Sequence, residues 1–172
     1  MSDSFIPLLQ FFVTTGEVVG RKKCQKMIHI LQECGHDFGF DFKLALYGAY
    51  SSALQAQLED FVNYEYITEQ PAATEVAGYR TSTFSASDRG KTVLEKLKEN
   101  REPSWKALAV FLNEQNTRDL EAASTILYLQ KEDITDRELQ EKFRRLKPHL
   151  VGIFDKGKAL ADRLRGGSRA TA

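Results

Sequence analysis

The densest run of reactive side chains in the 172-residue chain is Gly20-Arg21-Lys22-Lys23-Cys24-Gln25-Lys26-Met27-Ile28-His29. Arg21, Lys22, Lys23 and Lys26 make a candidate site for phosphate or an acidic partner, with Gln25 adding a donor. At the start of a helix this charge has the wrong sign for the helix dipole, which favours acids there, so something must offset it. Different readings stay open. Arg21, Lys22, Gln25 and Lys26 contact a partner, or they form a solvated face with Lys22 and Lys26 one turn apart, or Gln25 and Lys26 cap a sheet edge internally. A second string, Leu46-Tyr47-Gly48-Ala49-Tyr50-Ser51, offers Tyr47 and Tyr50 as rings with polar ends, suited to an interface. It reads equally as a turn in which Gly48 supplies a positive φ and Ser51 caps the helix that follows.

Enzyme constellations are missing from the sequence. There is no GxSxG, HExxH, P-loop, GxGxxG or DxDxDG string, and His29, His36 and His149 are scattered. His29 stands five residues from both Cys24 and Cys34, so the three do not share a helix face and lack a fourth ligand for a metal. Asp37 and Asp41 flank a loop next to His36, with no nucleophile nearby. The expectation is a protein with no catalytic residues, no metal and no cofactor. Cys24 and Cys34 fall near an apolar helix face and read as reduced core residues. The apolar run Phe5 to Val13 is interrupted by Pro7 and Gln10 and is far too short to span a bilayer. No leader and no membrane association are expected, which makes the cytoplasm the default location.

These residues need elements to position them. Ser4 is an N-cap candidate ahead of the helical stripe Phe5, Leu8, Leu9, Phe12, and a second helix runs from about Arg21 to Cys34. Phe40, Phe42, Leu44 and Leu46 alternate with polar neighbours, the period of a strand with one buried face. Leu54, Leu58, Phe61 and Val62 line a third helix; Tyr66 to Glu69 and Tyr79 to Ser85 read as two antiparallel strands with a loop tip between them, a wing. Ser87 opens a helix carrying Val93, Leu94 and Leu97. The order is that of a winged helix with a strand added before its third helix.

Beyond a seam near Glu99 to Pro103 every signal is helical. Pro103 marks a helix start, Asn116 or Thr117 caps Leu120 to Leu129, Thr135 and Glu138 form a capping box, and Pro148 ends that helix. Trp105 and the Phe111 face read as packing between the two parts. The expected fold is therefore α+β, mainly α: a winged-helix-like domain over residues 1–100 with a small antiparallel sheet, a packed helical domain or extension over 101–165, and a flexible tail over 166–172.

The Arg21 to Leu31 helix and the Tyr47-Gly48-Ala49-Tyr50-Ser51 turn together resemble the YwgA-like family of bacterial proteins. That family carries an Arg-Lys, a Gln-Lys pair and an aromatic on one helix and a Tyr-Gly-Pro-Tyr-Ser turn after it. The chain departs in having Ala49 where the pattern has Pro, and His29 where it has an aromatic. The Lys22-x-x-Gln25-Lys26 spacing and the glycine turn are also similar, more distantly, to Panacea-type antitoxin domains. This resemblance implies a regulatory or antitoxin-like role.

Charge divides the functional readings. The chain has 24 Lys plus Arg and 24 Asp plus Glu. The Tyr50 to Tyr66 segment, where a DNA-reading winged helix would enter the groove, holds Glu59, Asp60 and Glu65 and no cation, which would repel phosphates. Positive charge collects after Arg137, with Arg144, Arg145, Lys147, Lys156, Lys158 and Arg163 as candidate contacts to nucleic acid or an acidic partner. The leading expectation is a non-enzymatic regulatory or antitoxin-like module acting through protein contacts, with a homodimer among its assemblies. The alternative is a DNA- or RNA-binding transcriptional regulator that uses the basic C-terminal helices.

Overall fold

A computed structural model describes residues 4–72 and 81–169. The elements in chain order are α1 (Phe5–Thr15), β1 (Val18–Val19), α2 (Arg21–Glu33), β2 (Lys43–Ala45), β3 (Gly48–Tyr50), α3 (Ser52–Asn63), β4 (Ile67–Pro71), β5 (Ser82–Ala86) and α4 (Asp88–Lys96). They continue with α5 (Lys106–Glu114), α6 (Thr117–Leu129), α7 (Asp136–Leu146), a 3-10 turn (Pro148–Ile153) and α8 (Phe154–Arg169). The fold is α+β and mainly α, as the periodicity predicts. One antiparallel sheet has the order β1-β5-β4, and a separate hairpin pairs β2 with β3.

Helix α2 is the central element. Every residue from Cys24 to Leu31 is buried, Gln25, Lys26 and His29 included, because α5, α6, β1, β3 and α3 surround it. A helix buried on all sides must satisfy its polar side chains internally, and that demand builds the site described below. Helix α6 is its counterpart, buried from Asp119 to Leu127. Against its outer side lies α8, brought close by Gly157, where a Cβ would stand 2.7 Å from that of Ala122. A single apolar core runs through both halves of the chain and crosses the 99–103 seam; the Phe38 ring, for instance, packs 5.2 Å from Trp105.

Several local expectations are revised. The strand read over residues 40–46 shrinks to β2, because the Phe40 peptide is satisfied by the Gln32 side chain (N–H to Oε1, 3.0 Å; Nε2 to O, 2.8 Å) instead of by a neighbouring strand. Leu46, placed on the buried face by the alternation, is 72% exposed at the hairpin turn. Tyr47-Gly48 does not lead straight into the third helix but turns the chain into β3. β1, two residues long, carries too few positions to show a period and was not foreseen. Ser4 makes no cap; its hydroxyl donates to Gln57 at 2.6 Å. Asn116 caps α6, while the Thr135–Glu138 capping box forms as expected. Helix α5 begins at Lys106, with Pro103 one turn ahead of it. Helix α8 continues past Gly166 to Arg169, and the expected tip between β4 and β5 lies outside the described residues.

Candidate partner-binding cleft

Both sequence motifs converge on one place. Gln25 donates through Nε2 to Ser51 O and accepts from Ser51 N–H, each at 2.9 Å, so the side chain completes the backbone pairing of a peptide group 26 residues away. One position on, Lys26 Nζ donates to Ala49 O at 2.6 Å. Ser51 in turn caps α3 by accepting from Leu54 N–H. Gly48 closes the arrangement: its φ of +88° suits glycine, and a Cβ there would meet Thr125 Oγ1 at 3.1 Å and Lys26 Cε at 3.2 Å.

From the other side, Lys147 is fully buried and reaches under the same hairpin to Leu46 O and, at 3.3 Å, to Ala45 O. Glu121, 3% exposed, answers the accumulated charge with ion pairs to Lys147 (3.3 Å), His149 (3.3 Å) and Lys22 (3.8 Å). Burial pulls the Lys26 ammonium down to about 8 and lowers Lys147 as well, with Glu121 opposing in both cases. Arg21 is held by Glu69 at 2.8 Å and Glu59 at 3.3 Å. These carboxylates supply the offset that four cations at a helix start require.

What remains open is a cleft of about 350 Å³ between the first turns of α2 and the β2–β3 hairpin. Arg21 and Lys22 stand on one side, Leu46, Tyr47 and Tyr50 on the other, and Gln55 of α3 beside them. The Lys22 ammonium lies 4.0 Å from the centre of the Tyr47 ring. Leu46, Tyr47 and Tyr50 are large apolar groups in contact with solvent, 72%, 55% and 41% exposed.

The eight partner-binding residues read from sequence thus form one cluster with two roles. Arg21, Lys22, Tyr47 and Tyr50 present surface. Gln25, Lys26, Gly48 and Ser51 are buried and hold that surface in shape, the internal capping alternative for the first two. Glu121 and His149 escaped the sequence reading. Glu121 left a trace there, a carboxylate within the otherwise apolar and small Leu120 to Leu129 run.

The basic C-terminal candidates do not gather into one face of unpaired charge. Lys147 is buried, Lys156 pairs with Asp119, Lys158 lies 2.7 Å from Asp162, and Arg163 stacks over Phe111 at 4.8 Å. Arg144 and Arg145 are exposed and have no ion pair among the described residues.

One further grouping looks like hydrolytic machinery. Ser124 Oγ is 2.8 Å from His29 Nδ1, and His29 Nε2 is 3.2 Å from Glu33 Oε1, which Lys131 holds at 2.5 Å. Ser124 and His29 are both 0% exposed. Their hydrogen bond ties α6 to α2. Both cysteines are buried, with burial pushing the Cys24 thiol up to about 12 and the Cys34 thiol to about 11. Among the described residues no His, Cys, Asp and Glu group is arranged to hold a metal, and no helix is long and apolar enough to cross a membrane.

No established family model matches the chain. A comparison with curated proteins finds "Uncharacterized protein YwgA" of Bacillus subtilis (strain 168), 32% identical over 135 residues, which is 78% of this chain and 78% of that protein. The chain belongs to the YwgA-like family. Within that family pattern, the Gln-Lys pair on the helix and the glycine turn have a joint physical meaning here. They are the two halves of one buried latch, Gln25 to Ser51 and Lys26 to Ala49. Ala49, at the pattern's proline position, is fully buried, and its carbonyl accepts from Lys26 Nζ.

Proposed function

We propose that the protein is a non-enzymatic regulatory module that captures a protein partner on the rim of this cleft. The observation that carries the reading is the exposed Leu46-Tyr47-Tyr50 surface, next to Arg21 and Lys22, on a hairpin that buried Gln25, Lys26 and Lys147 hold rigid. A preorganised surface loses little entropy on binding, and aromatic side chains beside cations are the composition of interface hot spots. A winged-helix-like arrangement of residues 1–100 is part of this proposal, supported by the β1-β5-β4 sheet order, by α3 preceding β4, and by the β4–β5 pair in the position of a wing. The antitoxin-like form of the reading draws on the Lys22-x-x-Gln25-Lys26 resemblance.

Nucleic acid binding through the C-terminal helices has less support than its residue count implies, since four of its six cations are already buried, paired or stacked. Helix α3 exposes Glu59 and Asp60, which would face phosphates in a groove dock.

The test is affinity capture from native cytosol with and without nuclease, using the wild-type chain, Tyr47→Ala and Lys22→Glu. Partner recovery that survives nuclease and drops at least about tenfold in both variants supports the proposal. Recovery abolished by nuclease, or equal in all three proteins, overturns it.

A further inference from the structure

The interior of the cleft holds an ammonium whose hydrogen bonding is incomplete. Lys26 is 2% exposed, and among the described residues its three N–H donors have one acceptor, Ala49 O. No carboxylate there lies within ion-pair distance of it, because Glu121 is taken by Lys22, Lys147 and His149. A buried cation short of acceptors is costly, and the cost falls when an anion arrives. Lys26 borders the cleft, and its side chain packs directly under Gly48, where a Cβ would stand 3.4 Å from Nζ.

The surroundings define the anion. Arg21, Lys22 and Lys26 line the cleft and no acidic residue does; Arg21 and Lys22 are paired with Glu69, Glu59 and Glu121 behind the walls, which leaves Lys26 as the cation there without an ion pair among the described residues. The remainder is largely apolar, formed by Leu46, Tyr47 and Tyr50. Its volume of about 350 Å³ falls in the lower part of the roughly 300–1,000 Å³ range of small-molecule sites.

We propose that the cleft binds a small organic carboxylate with an apolar body of aromatic-ring size, the carboxylate on Lys26 and Lys22 and the body against Leu46 and Tyr47. The site lies inside the cleft whose rim is assigned to the protein partner and shares Lys22, Leu46 and Tyr47 with it; buried Lys26 belongs to the ligand site alone, so its variant and the acid-against-alcohol comparison test this proposal separately from the partner capture. The geometry requires Lys26 to be charged, which it is below about pH 8.

The experiment is an amide chemical-shift titration of the full chain at about pH 6.5 with three probes: 3-phenylpropionate, the neutral 3-phenylpropan-1-ol, and acetate. The expected result is saturable shifts at residues 21–26 and 45–50 with 3-phenylpropionate, and affinities at least about tenfold weaker for the alcohol and for acetate, as charge-assisted hydrogen bonds imply. Lys26→Met should bring the acid down to the alcohol's affinity. Tyr47→Ala, at an exposed side chain, should weaken both ring-bearing probes while keeping the acid's preference. If Lys26→Met does not fold, a wild-type titration at about pH 9.5, where Lys26 has lost its proton, replaces it and should erase the preference. Equal affinity for acid and alcohol, no saturable shift at these residues, or a preference that outlasts both removal and deprotonation of Lys26 overturns the proposal.

Discussion

Gln25 and Ser51 exchange two hydrogen bonds of 2.9 Å, between a helix side chain and the backbone N–H and C=O of the residue that follows β3. Both residues are at most 2% exposed, so neither bond has water as a substitute. The side-chain amide acts as one more residue of a ladder, fixing where the hairpin hands over to α3. Tyr50 precedes Ser51 in the chain and Tyr47 stands at the hairpin turn, so the pair fixes the C-terminal end of the segment that carries both.

Truncating the latch should therefore cost more than an average hydrogen bond. Gln25→Ala strands the Ser51 N–H and C=O in a dry interior, a penalty of roughly 2–4 kcal/mol. Gln25→Glu keeps the acceptor but loses the donor to Ser51 O and sets a carboxylate against that carbonyl oxygen, so it should also destabilise. Urea unfolding reads both. A loss below about 0.5 kcal/mol for Gln25→Ala would mean that the hairpin holds without it.

Lys26 makes the stability depend on mildly alkaline pH. Burial lowers it from 10.5 to about 8, so between those values the unfolded chain binds more protons and stability rises with pH. Lys23 and Lys147, also lowered by burial, act in the same direction. Cys24 and Cys34 are raised from 9.0 and oppose the trend once pH passes that value. The lysine effect thus stands clear between about pH 8 and 9, where the unfolding free energy should climb. Lys26→Met should flatten much of the climb. A flat wild-type profile, or the same slope in the variant, would remove Lys26 as its source.

The contrast between α2 and β2 shows where sequence patterns carry information and where they stop. Cys24, Met27, Ile28 and Leu31 recur at helical spacing, and the helix they predict is there within one residue. The same pattern assigns Gln25, Lys26 and His29 to the outside, yet all are buried, because their neighbours come from α6 and the hairpin, far along the chain. Local periodicity reports which face is most apolar and is silent on whether a second face is covered. The strand over 40–46 failed for a related reason: a side chain on α2, Gln32, satisfies Phe40 and displaces a ladder. Lys147 reads as surface charge by composition, and only the approach of the Ala45 and Leu46 carbonyls makes it a core residue. The two strings behind the family resemblance were legible as motifs, and internal capping of a sheet edge by Gln25 and Lys26 was among the readings; that the edge is the Ala49 to Ser51 segment was not.

Buried Ser124 and His29, with Glu33 beside them, give the last prediction, on the acid side. Burial lowers His29 below its ordinary 6.5, with Glu33 opposing, and burial lowers His36 too. A base depressed in the folded state contributes stability that is present above its unfolded value and lost as pH falls through the folded one. Unfolding free energy should therefore decline as pH drops below about 6.5. His29→Phe retains a ring at the position where the family pattern has an aromatic and removes the proton-binding group, so part of the decline should disappear, leaving the share from His36. Ser124→Ala should instead keep the titration while withdrawing the 2.8 Å partner of Nδ1, at a cost of about 1–3 kcal/mol near neutral pH. Because Ser124 is fully buried, wild type and Ser124→Ala should hydrolyse p-nitrophenyl acetate at the same rate. A slower Ser124→Ala protein would show that the hydroxyl is reached and acts as a nucleophile, whereas equal rates with the predicted stability loss identify the trio as the tie between α2 and α6.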